Sequence, residues 1–205
     1  VQLRTMEANP SLAILSAGMA IVDNQNDIVG VRIVGSTQPG LTLLPRPRRP
    51  KTLPIAHAPS MILRDVAIKE RFDPSLPIVE DMDYLMRLML HHNSGVLSDI
   101  LYVYTELDTI SLGKMVASFR HSRRVFSKHR DIYPFAMFRE YALSILKEYI
   151  YRMGFVVGLD KALIMRRSMK PSASMFESYA TARSVVHGTW ARHFSNNPVA
   201  NRISD

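Results

Sequence analysis

The sequence predicts an α/β domain that gives way to a mainly α-helical C-terminal region. Three observations lead there. The runs "SLAILSAGMAIVD" (11–23) and "IVGVRIVG" (28–35) are apolar and partly β-branched, and they flank the polar segment "DNQND", the pattern of two strands joined by a turn. Beyond about Leu112 the apolar residues recur at spacings of three and four, the period of a helix. The charge changes at the same place. Residues 1–113 hold 10 Lys and Arg against 12 Asp and Glu, whereas residues 114–205 hold 16 against 6, a net +10. The expected division is therefore 1–113 and 114–205.

Each element follows from local pattern. Residues 36–54 carry five prolines, which fix φ and remove backbone donors, so a loop is expected. "SMILRDVAIKE" (60–70) reads as a short strand or turn running into a short helix, and "RFDPSLPI" (71–78) as a turn broken by Pro74 and Pro77. A helix is expected from Glu80 to His92. "GVLSDILYVYTE" (95–106) alternates as a strand does. In "REYALSILKEYIYRMGFVVG" (139–158) the residues Ala142, Leu143, Ile145, Leu146, Tyr149, Ile150 and Met153 define one apolar helix face. Pro134 and Pro171 divide the helical region, and no internal repeat is evident.

Composition narrows the function classes. Cysteine is absent, which excludes a disulfide framework and a thiolate metal site and fits a reducing compartment. No uninterrupted apolar run reaches the roughly 18 residues of a membrane span. The start, "VQLRTMEANP", lacks the apolar core of a signal peptide and an initiator Met, so a fragment or a processed product is expected.

The most unusual stretch is "LPIVEDMDYLMRLMLHH" (76–92), where Glu80, Asp81 and Asp83 fall within four positions. Acidic side chains in a first helical turn interact favourably with the macrodipole, by about 0.3–1 kcal/mol each. That explains one or two carboxylates, but three also repel one another. The spacing and central Gly of an EF-hand are missing. "DMD" also has the form of a metal–nucleotide Asp-x-Asp, although here it opens a helix instead of following a strand. A general base is the remaining option, since like charges raise a carboxylate's proton affinity while a helix N-terminus lowers it.

Four segments resemble family 2 glycosyltransferases of the GT-A fold. They are "MEANPSLAILSAGMAIVDNQNDIVG" (6–30), "HAPSMILR" (57–64), "RFDPSLPIVEDMDYLMRL" (71–88) and "LSDILYVYTELDTISLGK" (97–114). They occur in the family's order over about residues 1–114, with the His-Pro pair of the second shifted by one position. The resemblance implies the acceptor-side portion of a GT-A domain and an inverting transfer of sugar from a nucleotide-sugar to a glycan or lipid-linked acceptor. Asp81 would be the base. Glu80 would line the acceptor side, and Asp83 would support the helix start or the acceptor site, with Arg87 four residues on able to pair with it. His57, Ser60 and Arg64 would lie near the acceptor or the donor phosphates, although His57 fits a packed loop histidine equally well. The Gln-x-x-Arg-Trp element of processive members is absent, since the only Trp, Trp190, follows "VHGT". A non-processive enzyme is implied.

The family's Asp-x-Asp and its nucleotide-binding half have no counterpart in these residues. The complete enzyme is expected to use Mn or Mg through ligands outside this sequence, and the chain alone to be inactive. Its basic segments, "FRHSRRVFSKHR" (119–130) and "KALIMRRSMK" (161–170), suit an anionic membrane surface or a solvated helical cap. Nucleic acid lacks a supporting motif. The expected location is cytoplasmic, peripheral on the inner face of the membrane. The alternative is a non-catalytic membrane- or partner-binding module derived from the same fold.

Overall fold

The computed structural model describes residues 1–33, 40–50, 55–105 and 110–194. At its centre is β1 (Leu12–Val22), buried at nearly every position. A strand covered on both faces reads as a continuous apolar run, which is what "LAILSAGMAIV" is. It pairs antiparallel with β2 (Ile28–Arg32) and with the short β4 (Met61–Ile62), and parallel with β5 (Asn93–Thr105). β3 (Leu41–Leu44) lies antiparallel on the far edge of β5, giving the order β2-β1-β5-β3. The turn before β2 forms because Asp23 Oδ1 accepts the N–H groups of Gln25 and Asp27, each at 2.9 Å.

β3 corrects the expected loop over 36–54. "LTLL" is free of proline, and Pro45, Pro47 and Pro50 follow it without interrupting it. An edge strand needs only one row of ladder bonds, so flanking prolines do not prevent it. The approach to β5 is close: a Cβ on Gly95 would lie 2.8 Å from Leu41 Cδ1 and 3.3 Å from the carbonyl of Thr42. Residues 36–39 and 51–54 of that loop lie outside the described residues, as do 106–109 beyond β5.

Two apolar layers cover the sheet. Met6 of α1 (Gln2–Ala8) packs with Leu12, Leu15, Ala17 and Leu97. A second cluster brings Tyr84, Leu85, Leu88 and Met89 of α3 (Glu80–His91) against Ala13, Ile14 and Val96. The short α2 (Arg64–Ala67) precedes α3. Mixed α/β architecture is thus established, with helix at about 49% and strand at about 21%, in keeping with the largely helical content expected.

α4 (Leu112–Lys128) starts at Ser111, whose Oγ accepts the N–H of Lys114. It packs on α3 by placing Val125 with Leu76 and Met86. Phe126 meets Ala136 and Met137 of α5 (Pro134–Val156), which opens on Pro134 as helices often do. Arg123 pairs with Glu148 at 2.8 Å, both largely buried, so this arginine is committed inside the helix pair and is not one of the surface cations. α6 (Asp160–Met165) follows, and Met169 bridges to Val31 of β2. The chain divides into two compact units, Val1–Met169 and Lys170–Asp205. The charge boundary at 113/114 falls inside the first. The second contains α7 (Ala173–Phe194).

The apolar face of α5 does not point into the core. Its buried residues are Ala136, Met137, Glu140, Ser144 and Gly154, whereas Leu143, Ile145, Leu146, Tyr149, Ile150 and Met153 are all exposed.

Candidate functional site

The acidic turn at the start of α3 is entered through an unusual backbone. Val79, the residue before the helix, sits at φ 66°, ψ 17°, a left-handed conformation that a β-branched residue rarely adopts. No side chain caps the helix. Successive helical residues are about 100° apart around the axis, and this separates the three carboxylates. Asp83 turns inward and is 0% exposed, Glu80 is half-buried, and Asp81 faces outward.

Asp83 is held by two cations, with a histidine beside them. Arg87 Nε donates to Oδ2 at 2.9 Å, the i,i+4 pair that the sequence suggests. Lys128 Nζ reaches Oδ1 at 3.2 Å, and His129 Nε2 lies 4.0 Å from the same oxygen. Arg87 also binds Glu70 and the carbonyl of Arg71. Lys128 extends to Asp73 Oδ2 at 2.5 Å. That hydrogen bond holds the Asp73 carboxyl well below the usual range. Burial opposes the Lys128 charge, but its hydrogen bonds to Asp73 and Asp83 outweigh this and raise its pKa. The network fixes the first turn of α3 to the end of α4.

Asp81 is differently placed. Its Oδ1 accepts the N–H of Met82 at 2.7 Å, and no cation pairs with it among the described residues. An outward carboxylate at a helix N-terminus, with one oxygen left for another donor, is chemically able to take a proton.

His57 is tied to the same helix through rings. It lies edge-on to Phe72 at 5.6 Å and to Tyr84 at 6.1 Å, and Phe72 and Tyr84 stack at 4.4 Å. Burial raises the Tyr84 hydroxyl above its ordinary pKa. The loop bearing His57 is anchored from several points. Ser60 Oγ donates to the carbonyl of Ala56 at 2.6 Å, Ser16 Oγ donates to the same carbonyl, and Gln2 Nε2 donates to that of Pro59. Ser60 thus uses its hydroxyl on its own loop. Arg64 is exposed at the start of α2. No hydrogen bond or ion pair joins either of them to the acidic turn among the described residues.

The structure therefore gathers Glu80, Asp81, Asp83 and His57 around α3. It adds Phe72, Lys128, His129, Glu70 and Asp73, which sequence reading did not single out. Local pattern cannot find Lys128 or His129, because their contacts with Asp83 span some 45 positions. Among the described residues no group of three or more His, Asp or Glu converges as a metal site. No ligand set for a divalent cation is formed among the described residues. No helix among them is long and apolar enough to cross a membrane. No family model and no curated protein sequence matches the chain.

Proposed function

We propose that this chain is the acceptor-side portion of an inverting, non-processive glycosyltransferase of the family 2, GT-A type, with Asp81 as its base. The observation that supports this reading is the division of roles at the start of α3. Asp83 is sealed in an ion network, while Asp81, two residues earlier, is outward and unpaired by any described cation, two residues after the strained Val79. Backbone strain persists where surrounding structure over-determines it, and it clusters at active sites.

In that role the Asp81 carboxylate accepts the proton of an acceptor hydroxyl. The acceptor oxygen attacks the anomeric carbon as the bond from that carbon to the nucleotide diphosphate breaks. Attack from the face opposite the leaving group inverts the configuration. Asp83 acts as a positioning residue through Arg87 and Lys128, and Glu80, half-buried beside Asp81, lines the acceptor side. His57, Phe72 and Tyr84 form an aromatic wall against the same helix.

The test is made in a polypeptide that joins these residues to a donor-binding half. There Asp81→Asn lowers kcat by about 10²–10⁴-fold, as loss of a general base does, while nucleotide-sugar affinity stays unchanged. Turnover within about threefold of the parent overturns the assignment. This chain alone, titrated with a uridine diphosphate-sugar and Mn²⁺ by calorimetry, gives no micromolar binding. Micromolar affinity would mean that the donor site lies within these residues.

A further inference from the structure

α5 is built inside out. About 100° per residue places Ile145, Phe138, Tyr149, Phe135, Leu146 and Ile150 on one arc of roughly 140°, interrupted only by Arg139. That arc faces solvent: Phe135 is 89% exposed, Phe138 71%, Tyr149 61% and Leu146 53%. Apart from Met137, the inward side carries small or polar residues. Ser144 Oγ donates to the carbonyl of Phe119 at 3.2 Å, and Gly154 sits so close to Leu163 that a Cβ would lie 2.1 Å from its Cδ1. From Phe135 to Ile150, at about 1.5 Å per residue, the helix presents this arc over about 23 Å. An apolar strip of that size is seldom left to water.

Both α5 carboxylates are turned away from solvent: Glu140 is buried and pairs with the exposed Arg139, and Glu148 pairs with Arg123 and Arg152. α4 contains no acidic residue, and Arg120, Arg124, Arg130 and Lys147 are exposed. Where α4 ends and α5 begins, a recess of about 350 Å³ is lined by Phe126, Ser127, Arg130, Met137, Phe138 and Tyr141. A guanidinium thus borders an apolar hollow that opens beside Phe138.

We infer that the exposed face of α5 docks in the plane of an anionic lipid bilayer, with Phe135, Phe138, Leu146 and Tyr149 entering the headgroup–acyl boundary. Arg130, which lines the recess beside Phe138, and Arg139, exposed within the arc, meet lipid phosphates. A helix that lies on a membrane carries an aromatic and aliphatic face bordered by Lys and Arg, with its apolar side about 5–10 Å deep, and Tyr favours that level. A second copy of the chain fits less well, because self-association would bring the same exposed cations together with the carboxylates already used internally. This inference rests on α5 and its borders and is independent of the transferase reading, so a failed binding test leaves Asp81 untouched.

The test is sedimentation of the full 205-residue chain with sucrose-loaded vesicles. One set is phosphatidylcholine alone and the other contains phosphatidylglycerol as well. Binding is expected to the anionic vesicles, with a part that survives high salt because apolar burial is not screened. Phe138→Asp and Leu146→Asp each lower vesicle affinity about tenfold or more, as loss of a buried apolar side chain does, with the thermal melt unchanged because both side chains are exposed in the free protein. Arg130→Gln weakens binding at low salt only. Absence of binding to anionic vesicles overturns the inference, and so does equal binding of the Asp variants. A dimer in analytical ultracentrifugation that these Asp variants dissociate would assign the face to a second copy and overturn it too.

Discussion

Lys128 Nζ lies 3.2 Å from Asp83 Oδ1 across 45 positions of sequence. This contact closes the first turn of α3 onto the end of α4 and separates the roles of two neighbouring carboxylates. Asp83 is fully buried and faces Arg87, Lys128 and His129. Asp83→Asn removes the buried anion shared by Arg87 and Lys128, which keep Glu70 and Asp73 as partners. Breaking a buried pair costs about 3–5 kcal/mol, but Lys128 is 39% exposed and water recovers part of that, so a loss of about 2 kcal/mol is expected. Asp81→Asn costs less than about 0.5 kcal/mol, since an exposed side chain away from any ion pair contributes little. Urea unfolding of the two variants checks this. Equal losses would mean that the carboxylates share one structural role.

His129 makes the same junction sensitive to acid. Burial lowers its pKa below the ordinary 6.5, with Lys128 and Arg87 acting in the same direction and Asp83 opposing. Its Nε2 is buried without a hydrogen-bond partner among the described residues. The folded state therefore binds this proton less readily than the unfolded chain does. Its contribution to stability is present above the unfolded value of about 6.5 and is lost as pH falls through the folded value. The melting temperature of the parent is expected to fall between about pH 7.5 and pH 5.5, and that of His129→Gln to fall less. Parallel curves would exclude His129 as the titrating group.

The α4–α5 pair depends on Glu148. Its burial is outweighed by hydrogen bonds from Arg152 and Arg123, so its carboxyl titrates below the ordinary range. Arg123 stacks at 5.9 Å over Tyr141 and has one buried nitrogen without a partner already. Glu148→Gln removes the anion and leaves a largely buried guanidinium, for a loss of about 2–3 kcal/mol. Arg124→Gln, on the exposed side of the same helix, stays within about 0.5 kcal/mol. Chemical denaturation of the pair is the check, and a neutral Glu148→Gln would show that the bridge adds nothing to helix packing.

Elements whose pattern is local were legible in the sequence: the two strands around Asp23, the helix at Glu80, and the break at Pro134. β3 was not, because four residues of "LTLL" among prolines show no period of their own, and their strand state comes from the edge of β5. Orientation of α5 was also hidden. Periodicity gives the position of an apolar stripe on a helix but not which way it faces, and here the inward side is chosen by the Arg123–Glu148 pair and by the room around Gly154. At the site, the acidic triplet was visible at once, while its sorting into buried Asp83 and outward Asp81 required Lys128 and His129, whose approach is set by the docking of α4.

Val79 offers the sharpest test of how the acidic turn is aimed. It is half-buried against Leu76, Met86 and Val125 while holding φ 66°. Replacement by Ala loses that packing and keeps the left-handed cost, about 1–2 kcal/mol for a residue with a Cβ. Replacement by Gly loses the same packing and removes the cost, at the expense of about 0.5–1 kcal/mol of backbone entropy. At an ordinary position Ala is the more stable of the two, but here Val79→Gly is expected to equal or exceed Val79→Ala by up to about 1 kcal/mol in urea unfolding. The order for turnover is expected to reverse. In a polypeptide that joins these residues to a donor-binding half, Gly frees the entry to α3 and lets Asp81 wander, so kcat falls further for Val79→Gly than for Val79→Ala. A misplacement of about 1 Å at a reacting group costs on the order of 10²-fold. If the two variants rank the same way in stability and in kcat, the left-handed turn serves folding alone and does not aim the base.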